Sequence, residues 1–359
     1  MNMILETLKK LVLAHGPSGL EDEVRDIIVK EIMDVADEIT VDRFGNLIAV
    51  QRGSAEGPKV MLDAHMDEIA LIVKHVDAKG MVWFARQGGM VEKLLPGQHM
   101  IILSRKGHVP SVVGCKSGHL MSAEERSRVT PIEQLWIDVG ANSTEEVDKM
   151  GIKVGDLITY EKRFLPLGKG DYVCSTTLDD RIGCLVLIEV LRQLKETPHK
   201  ANVYTVFSVQ EEVGCRGSQM AAYRIEPDVA FIVDTGFGED PATTVKETRL
   251  RIGEGPVIRA WEQRYTVPRR LFDFMTSTAE EAGIPHQTEI VISGGTDASM
   301  IHLTKEGVPT GEIIVARRYS HSPIEVASLR DMENAVKLLV AIVRRLDSSF
   351  VAGFEKRIK

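Results

Sequence analysis

Histidines and carboxylates stand at the ends of five apolar runs in this 359-residue chain. His65 and Asp67 close the run from Val60. Asp179 and Asp180 follow Tyr172 to Leu178, and Glu211 with Glu212 follows Val203 to Gln210. Asp234 follows Val229 to Val233, and His321 follows Glu312 to Ser320. In a sheet of alternating strands and helices, functional groups gather just past the carboxyl ends of strands. Imidazole and carboxylate together are the donor set of divalent ions such as zinc, cobalt or manganese. Each residue alone has an ordinary use: an Asp before Arg181 caps a helix, Asp234 before Thr-Gly suits a turn, and His321 suits a loop. Taken jointly, the ordinary uses require a coincidence at every strand end. Three carboxylates, two neutral imidazoles, two divalent ions and one bridging hydroxide sum to zero charge, which favours a two-metal site. H-x-D on a strand sets His65 and Asp67 on the same face, so Asp67 can fix the imidazole's tautomer. Of the Glu211-Glu212 pair, one carboxylate can hold a metal while the other takes a proton from water. That division requires the strand to have given way to loop, which Val213-Gly214 permits.

The elements that must position these residues alternate in type. Ile4, Leu5, Leu8, Leu11 and Val12 share one side of a first helix, stopped by Gly16-Pro17. Ser18 and Glu21 predict a capping box for a second helix carrying Val24, Ile27, Ile28 and Ile32. A hairpin turned at Gly45-Asn46 follows, then the strand into His65. From residue 68 to 164 the texture changes to short β-rich runs split by Gly, Pro and Asn, with short helices expected in 122–135 and 143–152. Strand and helix then alternate to a long C-terminal helix from about Leu329. The fold class is therefore α/β, a mixed sheet covered by helices with an inserted small β-rich domain. The expected domains are 1–67 plus 165–359, and 68–164. A net charge of -8 argues against nucleic acid as a partner. No run approaches the roughly 18 apolar residues that span a membrane. The N-terminus reads as the first helix of the fold rather than a leader. Four cysteines without CxxC spacing fit a reducing cytoplasm.

The segments MLDAHMDEIALIV, GHVPSVVGCKSGHLMSAEER, WIDVGANSTEEVDKMGIKVGD, TTLDDRIGC, QEEVGCRGS, VDTG, SGGTDASMIH and YSHSPIE occur in one order. In them the chain resembles the cytoplasmic tetrahedral aminopeptidases, which include bacterial glutamyl aminopeptidase and proteins labelled endoglucanase M. The resemblance implies a zinc-peptidase-like dinuclear metalloaminopeptidase. His65 and Asp234 would bind one metal, Glu212 and His321 the other, and Asp179 would bridge them. Glu211 would be the general acid/base, Asp67 the partner behind His65, and Asp180 a neighbour only. The cofactors would be two divalent ions per subunit, zinc or cobalt, and the substrates peptides with a free N-terminus. Residues 68–164 would be a dimerisation domain, with dimers building a hollow tetrahedral dodecamer whose active sites face inward. SGGTDA, Ser293 to Ala298, would lie near the substrate, and the stretch from Gly236 to Arg264 would line its pocket. The chain departs from the pattern at Cys115-Lys116-Ser117-Gly118-His119, where Pro-Pro is expected before the histidine. A metal-dependent deacylase is the nearest alternative, since the same ion pair hydrolyses other amides. A glycosidase would leave His65 and His321 without a purpose, and a non-catalytic assembly protein would gain nothing from Glu211.

Overall fold

Period-two and period-3.6 apolar patterns alternate along the chain, and each becomes an element where it is long enough. The structure is a computed structural model that describes residues 2–238 and 250–355. Helices α1 (Asn2–Leu13) and α2 (Asp22–Ile32) come first, then β1 (Glu38–Val41), β2 (Leu47–Gln51) and β3 (Lys59–His65). β1 and β2 form the expected hairpin. Its loop is organised by Asp42, whose Oδ1 accepts from the amides of Phe44, Gly45 and Asn46 at 2.8–3.0 Å, while Gly45 takes φ +108. A barrel follows, built of β4 (Ala70–Val76), β5 (Val82–Gln87), β6 (His99–Ser104), β7 (Gly107–Gly114), β8 (Trp136–Asp138) and β9 (Leu157–Tyr160). Between them lie the short helices α3 (Ala123–Ser127) and α4 (Thr144–Lys149).

The chain then returns through β10 (Phe164–Leu167), β11 (Tyr172–Ser175), α5 (Leu178–Lys195), β12 (Asn202–Ser208), α6 (Arg216–Ile225) and β13 (Val229–Phe237). It continues with β14 (Val257–Glu262), β15 (Tyr265–Thr266), α7 (Arg269–Glu281), β16 (Gln287–Ile290) and α8 (Ala298–Ile301), and ends with β17 (Thr310–Arg318), β18 (Glu325–Ser328), α9 (Leu329–Arg345) and α10 (Ser348–Ala352). The large sheet has the order β1-β2-β12-β3-β13-β17-β18-β11-β10, with β14 to β16 attached at β17. Its centre is parallel, β12 beside β3, β3 beside β13 and β13 beside β17. These strands are buried almost throughout and read as continuous apolar runs for that reason. Helix α5 packs on β3 and β13, α6 on β12, and α9 on α5 and β17. Every fully buried Leu or Ile in this core contributes about 1.5–3 kcal/mol. The mixed α/β sheet with a small closed barrel matches the expected fold class.

The barrel closes in the order β4-β5-β8-β7-β6-β9 around Leu71, Val82, Ile102, Ile137 and Ile158. Strand β9 makes that closure by pairing with both β4 and β6, and it is too short to stand out in the sequence. The expected capping box of α2 does not form. Ser18 Oγ donates to Asp67 Oδ2 at 2.6 Å instead, and Glu21 Oε1 accepts from Gly19 N at 2.7 Å. Helix α2 starts only at Asp22, with Gly19 at φ 89 before it, so Ser18 lies outside the capping position. The short helix expected over 122–135 is divided into α3, which Ser122 and Glu125 cap reciprocally, and a 3-10 turn at Ile132–Gln134.

Candidate metal centre

Four parallel-strand ends and the approach to α5 converge on one cavity. β3 ends at His65, β12 stops at Ser208 before Glu211 and Glu212, β13 carries Asp234, and β17 stops short of His321. Asp179 stands at the entrance to α5, with non-helical backbone angles and a cis peptide bond to Asp180. His65 Nε2 lies 3.3 Å from Asp179 Oδ1 and 4.0 Å from Asp234 Oδ1. His321 Nε2 lies 3.4 Å from Asp179 Oδ2 and 3.8 Å from Glu212 Oε2. The donors fall into two groups, His65/Asp179/Asp234 and Asp179/Glu212/His321, each with its atoms within 4.8 Å of one another. Asp179 belongs to both. All five residues singled out as ligands are thus brought together. Asp180 is not among them; its Oδ1 accepts from Gly183 N at 2.9 Å, a helix-capping use.

Both imidazoles are set with Nε2 toward the cavity. His65 Nδ1 donates to the Asp67 carbonyl at 3.1 Å, and His321 Nδ1 donates to the Gly89 carbonyl at 3.1 Å, which fixes the tautomer in each ring. Strand β3 has ended before Asp67, so the expected same-face alternation is not what joins the pair. A turn beyond the strand brings Asp67 Oδ1 within 3.4 Å of the ring instead. Asp67 also accepts from the amides of Glu211 at 2.9 Å and Glu212 at 3.2 Å, so one carboxylate aligns three site residues. Gly89 comes from the barrel, and a Cβ there would stand 2.5 Å from His321 Nδ1, so only glycine allows this approach. Glu325 spans the other side, accepting from Asp179 N at 3.1 Å and His321 N at 3.0 Å.

Charge in the cluster is out of balance. Burial, and then the Asp179 charge, pushes Asp234 up to about 7 and Glu212 up to about 8. Burial would lower His321, but Asp179 and Glu212 outweigh it and push the ring up to about 9. Carboxylates drawn toward neutrality beside imidazoles drawn toward the cation mark a site that lacks positive charge. Asp179 Oδ1 is also buried without a hydrogen-bond partner. The donors and this charge deficit fit divalent ions. Glu211 stands apart from both donor groups, Oε2 4.0 Å from His65 Nε2 and Oε1 accepting from Cys215 Sγ at 3.2 Å. Burial holds its carboxyl well above the ordinary range, and the charges of Asp297, Glu212 and Asp234 add to the shift. A third group, Glu211, Cys215 and Asp297, is satisfied internally, since Asp297 accepts from Ser208 and Ser218 at 2.9 and 2.6 Å.

The cavity measures about 360 Å³, and Ser293 to Thr296 form one wall, as expected of the SGGTDA segment. Of the stretch from Gly236 to Arg264, residues 239–249 lie outside the described residues, while Phe237, Arg259 and Arg264 line the cavity. Residues 115–119 do not line it. Three lining groups escaped the sequence reading: Gly89, Cys215 and Arg317. Arg317 had a signal, an arginine at the end of an apolar run beside a ligand.

A family model described as M42 glutamyl aminopeptidase matches residues 45–338, a span that holds every candidate ligand. The lysyl aminopeptidase of Pyrococcus furiosus is 36% identical over 344 residues, covering 95% of this chain and 97% of the relative. The TET aminopeptidase of a marine sediment archaeon, Thaumarchaeota archaeon, superposes with a TM-score of 0.95 at 34% identity over 99% of each chain. The TET1 peptidase of Pyrococcus horikoshii, which can assemble into a tetrahedron or a large octahedral shell, superposes at 0.86 with 36% identity over 96% of this chain and 100% of its own. By matched span, identity, coverage and superposition, the chain belongs to the M42 glutamyl aminopeptidase family of peptide hydrolases.

Proposed function

We propose that this chain is a dinuclear metalloaminopeptidase that removes N-terminal residues from peptides with a free amino terminus. The observation that carries the reading is the pair of donor groups sharing Asp179, with Glu211 unshared beside them. His65 and Asp234 would hold one ion, Glu212 and His321 the other, and zinc or cobalt suits both donor sets. Bound there, such ions supply a water of lowered pKa and polarise a scissile carbonyl. Glu211 would take the proton from the attacking water and deliver it to the leaving amine. Its Oε2 lies 4.0 Å from His65 Nε2 and outside both donor groups, which leaves it free for that task. Asp67 holds the Glu211 amide and the His65 ring in register, so base and ligand keep one relative position.

Residues 68–164 form the dimerisation domain in this reading, and dimers build a tetrahedral dodecamer with its active sites facing inward. The tetrahedral assembly of the Pyrococcus horikoshii relative and exposed apolar side chains on the barrel segment, Leu120, Val129 and Val112, support it. Four cysteines without a disulfide among them suit the cytoplasm. Glu211→Gln tests the mechanism: turnover falls by at least about 10² while both ions are retained. A variant that keeps most of its activity overturns the assignment of the base. Stripping with a chelator abolishes release of free amino acids, and cobalt or zinc restores it. Equal cleavage of N-acetylated and unblocked peptides would point to a deacylase instead.

A further inference from the structure

We propose that Arg317 makes the two cation positions unequal, so that the ion held by Glu212 and His321 binds more weakly than the one held by His65 and Asp234 and is the exchangeable one. This rests on the two-metal reading above. The asymmetry begins at Asp179. Its Oδ1 faces His65 Nε2 at 3.3 Å, whereas its Oδ2 faces His321 Nε2 at 3.4 Å and is also contacted by Arg317 Nη2. The guanidinium is therefore attached to the half of the carboxylate that serves the second position only. Its side chain is 3% exposed and keeps its charge at any working pH. Arg317 Nε donates to Thr235 Oγ1 at 2.7 Å, and Nη1 lies 3.1 Å from Glu325 Oε1, so the side chain is held at three points. The hold also favours the first position, because Thr235 N donates to Asp234 Oδ1 at 2.6 Å and aligns that ligand.

The guanidinium repels a cation at Asp179 Oδ2 and occupies part of the oxygen that the second ion would use, while Oδ1 is left clear for the first. Glu325 offsets part of the guanidinium charge and limits the size of the effect. A second, independent difference points the same way. His65 and Asp234 sit on strands with side chains 3% and 9% exposed, while His321 is 31% exposed in a loop with φ 54. Water reaches the second position more readily and competes for its ion.

Titrating zinc calorimetrically into the chelator-stripped full-length protein tests this directly. Wild type shows two steps separated by at least about tenfold in affinity. Glu212→Gln removes the weaker step, and Asp234→Asn removes the tighter one. Arg317→Met strengthens the weaker step by about tenfold or more, while Arg317→Lys, which keeps the charge, preserves the gap. Two equal steps in wild type, or a gap unchanged in Arg317→Met, overturn the role of Arg317 and leave the two-metal reading standing. Fewer than two ions at saturation overturns that reading itself. If Arg317→Met does not fold, the assignment by Glu212→Gln and Asp234→Asn decides: loss of the weaker step in Asp234→Asn contradicts the proposal.

Discussion

The barrel and the large sheet are built from the same kinds of apolar run, yet they tolerate charge differently. The barrel interior is Leu71, Val73, Val82, Phe84, Ile102, Ile137 and Ile158, an apolar body closed on itself. Around the cavity the sheet and the starts of α5 and α8 instead bury Asp63, Asp180, Asp297, Glu262, Glu312, Arg259 and Arg317. Arg259 is held by Glu289 at 2.7 Å and Glu312 at 3.1 Å, and Asp63 Oδ1 has no partner at all. Buried charge of this kind is weak evidence for stability and strong evidence for use. The sheet carries groups that chemistry needs, while the barrel contributes shape. The two meet at Gly89, whose carbonyl orients His321, and at a buried cluster in which Glu68 pairs with Lys162 and lies 3.5 Å from Arg181. Glu68 and Lys162 sit on the two chain crossings into and out of the barrel, and Arg181 follows the Asp179-Asp180 pair.

That contrast can be broken at graded cost. Glu211→Gln has the largest expected effect, with kcat down by about 10² to 10⁴. Thermal unfolding of the stripped variant shows a midpoint equal to or above wild type, because a carboxylate repelled by its neighbours has been neutralised. A lowered midpoint would mean that Glu211 is structural. Ile158→Ala in the barrel does the reverse, costing about 2–5 kcal/mol in a denaturant titration while kcat per folded molecule is kept. Gly89→Ala joins the two regions: the new Cβ displaces the His321 ring, and activity falls by about 10-fold to 100-fold with unfolding little changed.

The smallest effect is at the seam. His15 Nδ1 lies 2.7 Å from Thr159 Oγ1 of the barrel, and burial, aided by the Lys162 charge, lowers its pKa from 6.5 to about 4. The unfolded chain therefore takes up a proton that the folded one refuses. Stability is lost as pH falls from about 6.5 toward about 4 and is unaffected by this group above that window. Comparing unfolding free energies of wild type and His15→Gln across pH shows the wild type losing ground only within it. Parallel curves for the two proteins would mean that the seam does not hold His15 neutral.

The candidate donors were readable in the sequence because each ends an apolar run, and the parallel centre of the sheet brings those ends to one edge. His65, Asp179, Glu212, Asp234 and His321 were singled out for that reason, and the structure brings them together. What escaped depends on pairing across long separations. Arg317 acquires meaning only beside Asp179, far from it in the chain, and Gly89 only beside His321. The Ser18 and Glu21 spacing satisfied a local rule, but α2 begins only at Asp22 and Ser18 Oγ donates to the distant Asp67 instead. Strand β9 was hidden by brevity, and α8 stops at Ile301, with Lys305 at φ 55 and Gly307 at φ +103 beyond it.

The central claim is that two cations share the carboxylate of Asp179. Anomalous scattering from crystals grown with zinc and recorded at the zinc edge tests it without reference to activity. Two peaks are expected in each subunit, one between His65 and Asp234 and one between Glu212 and His321, each in contact with Asp179. A single peak, or a pair that leaves Asp179 without a metal neighbour, would contradict the account.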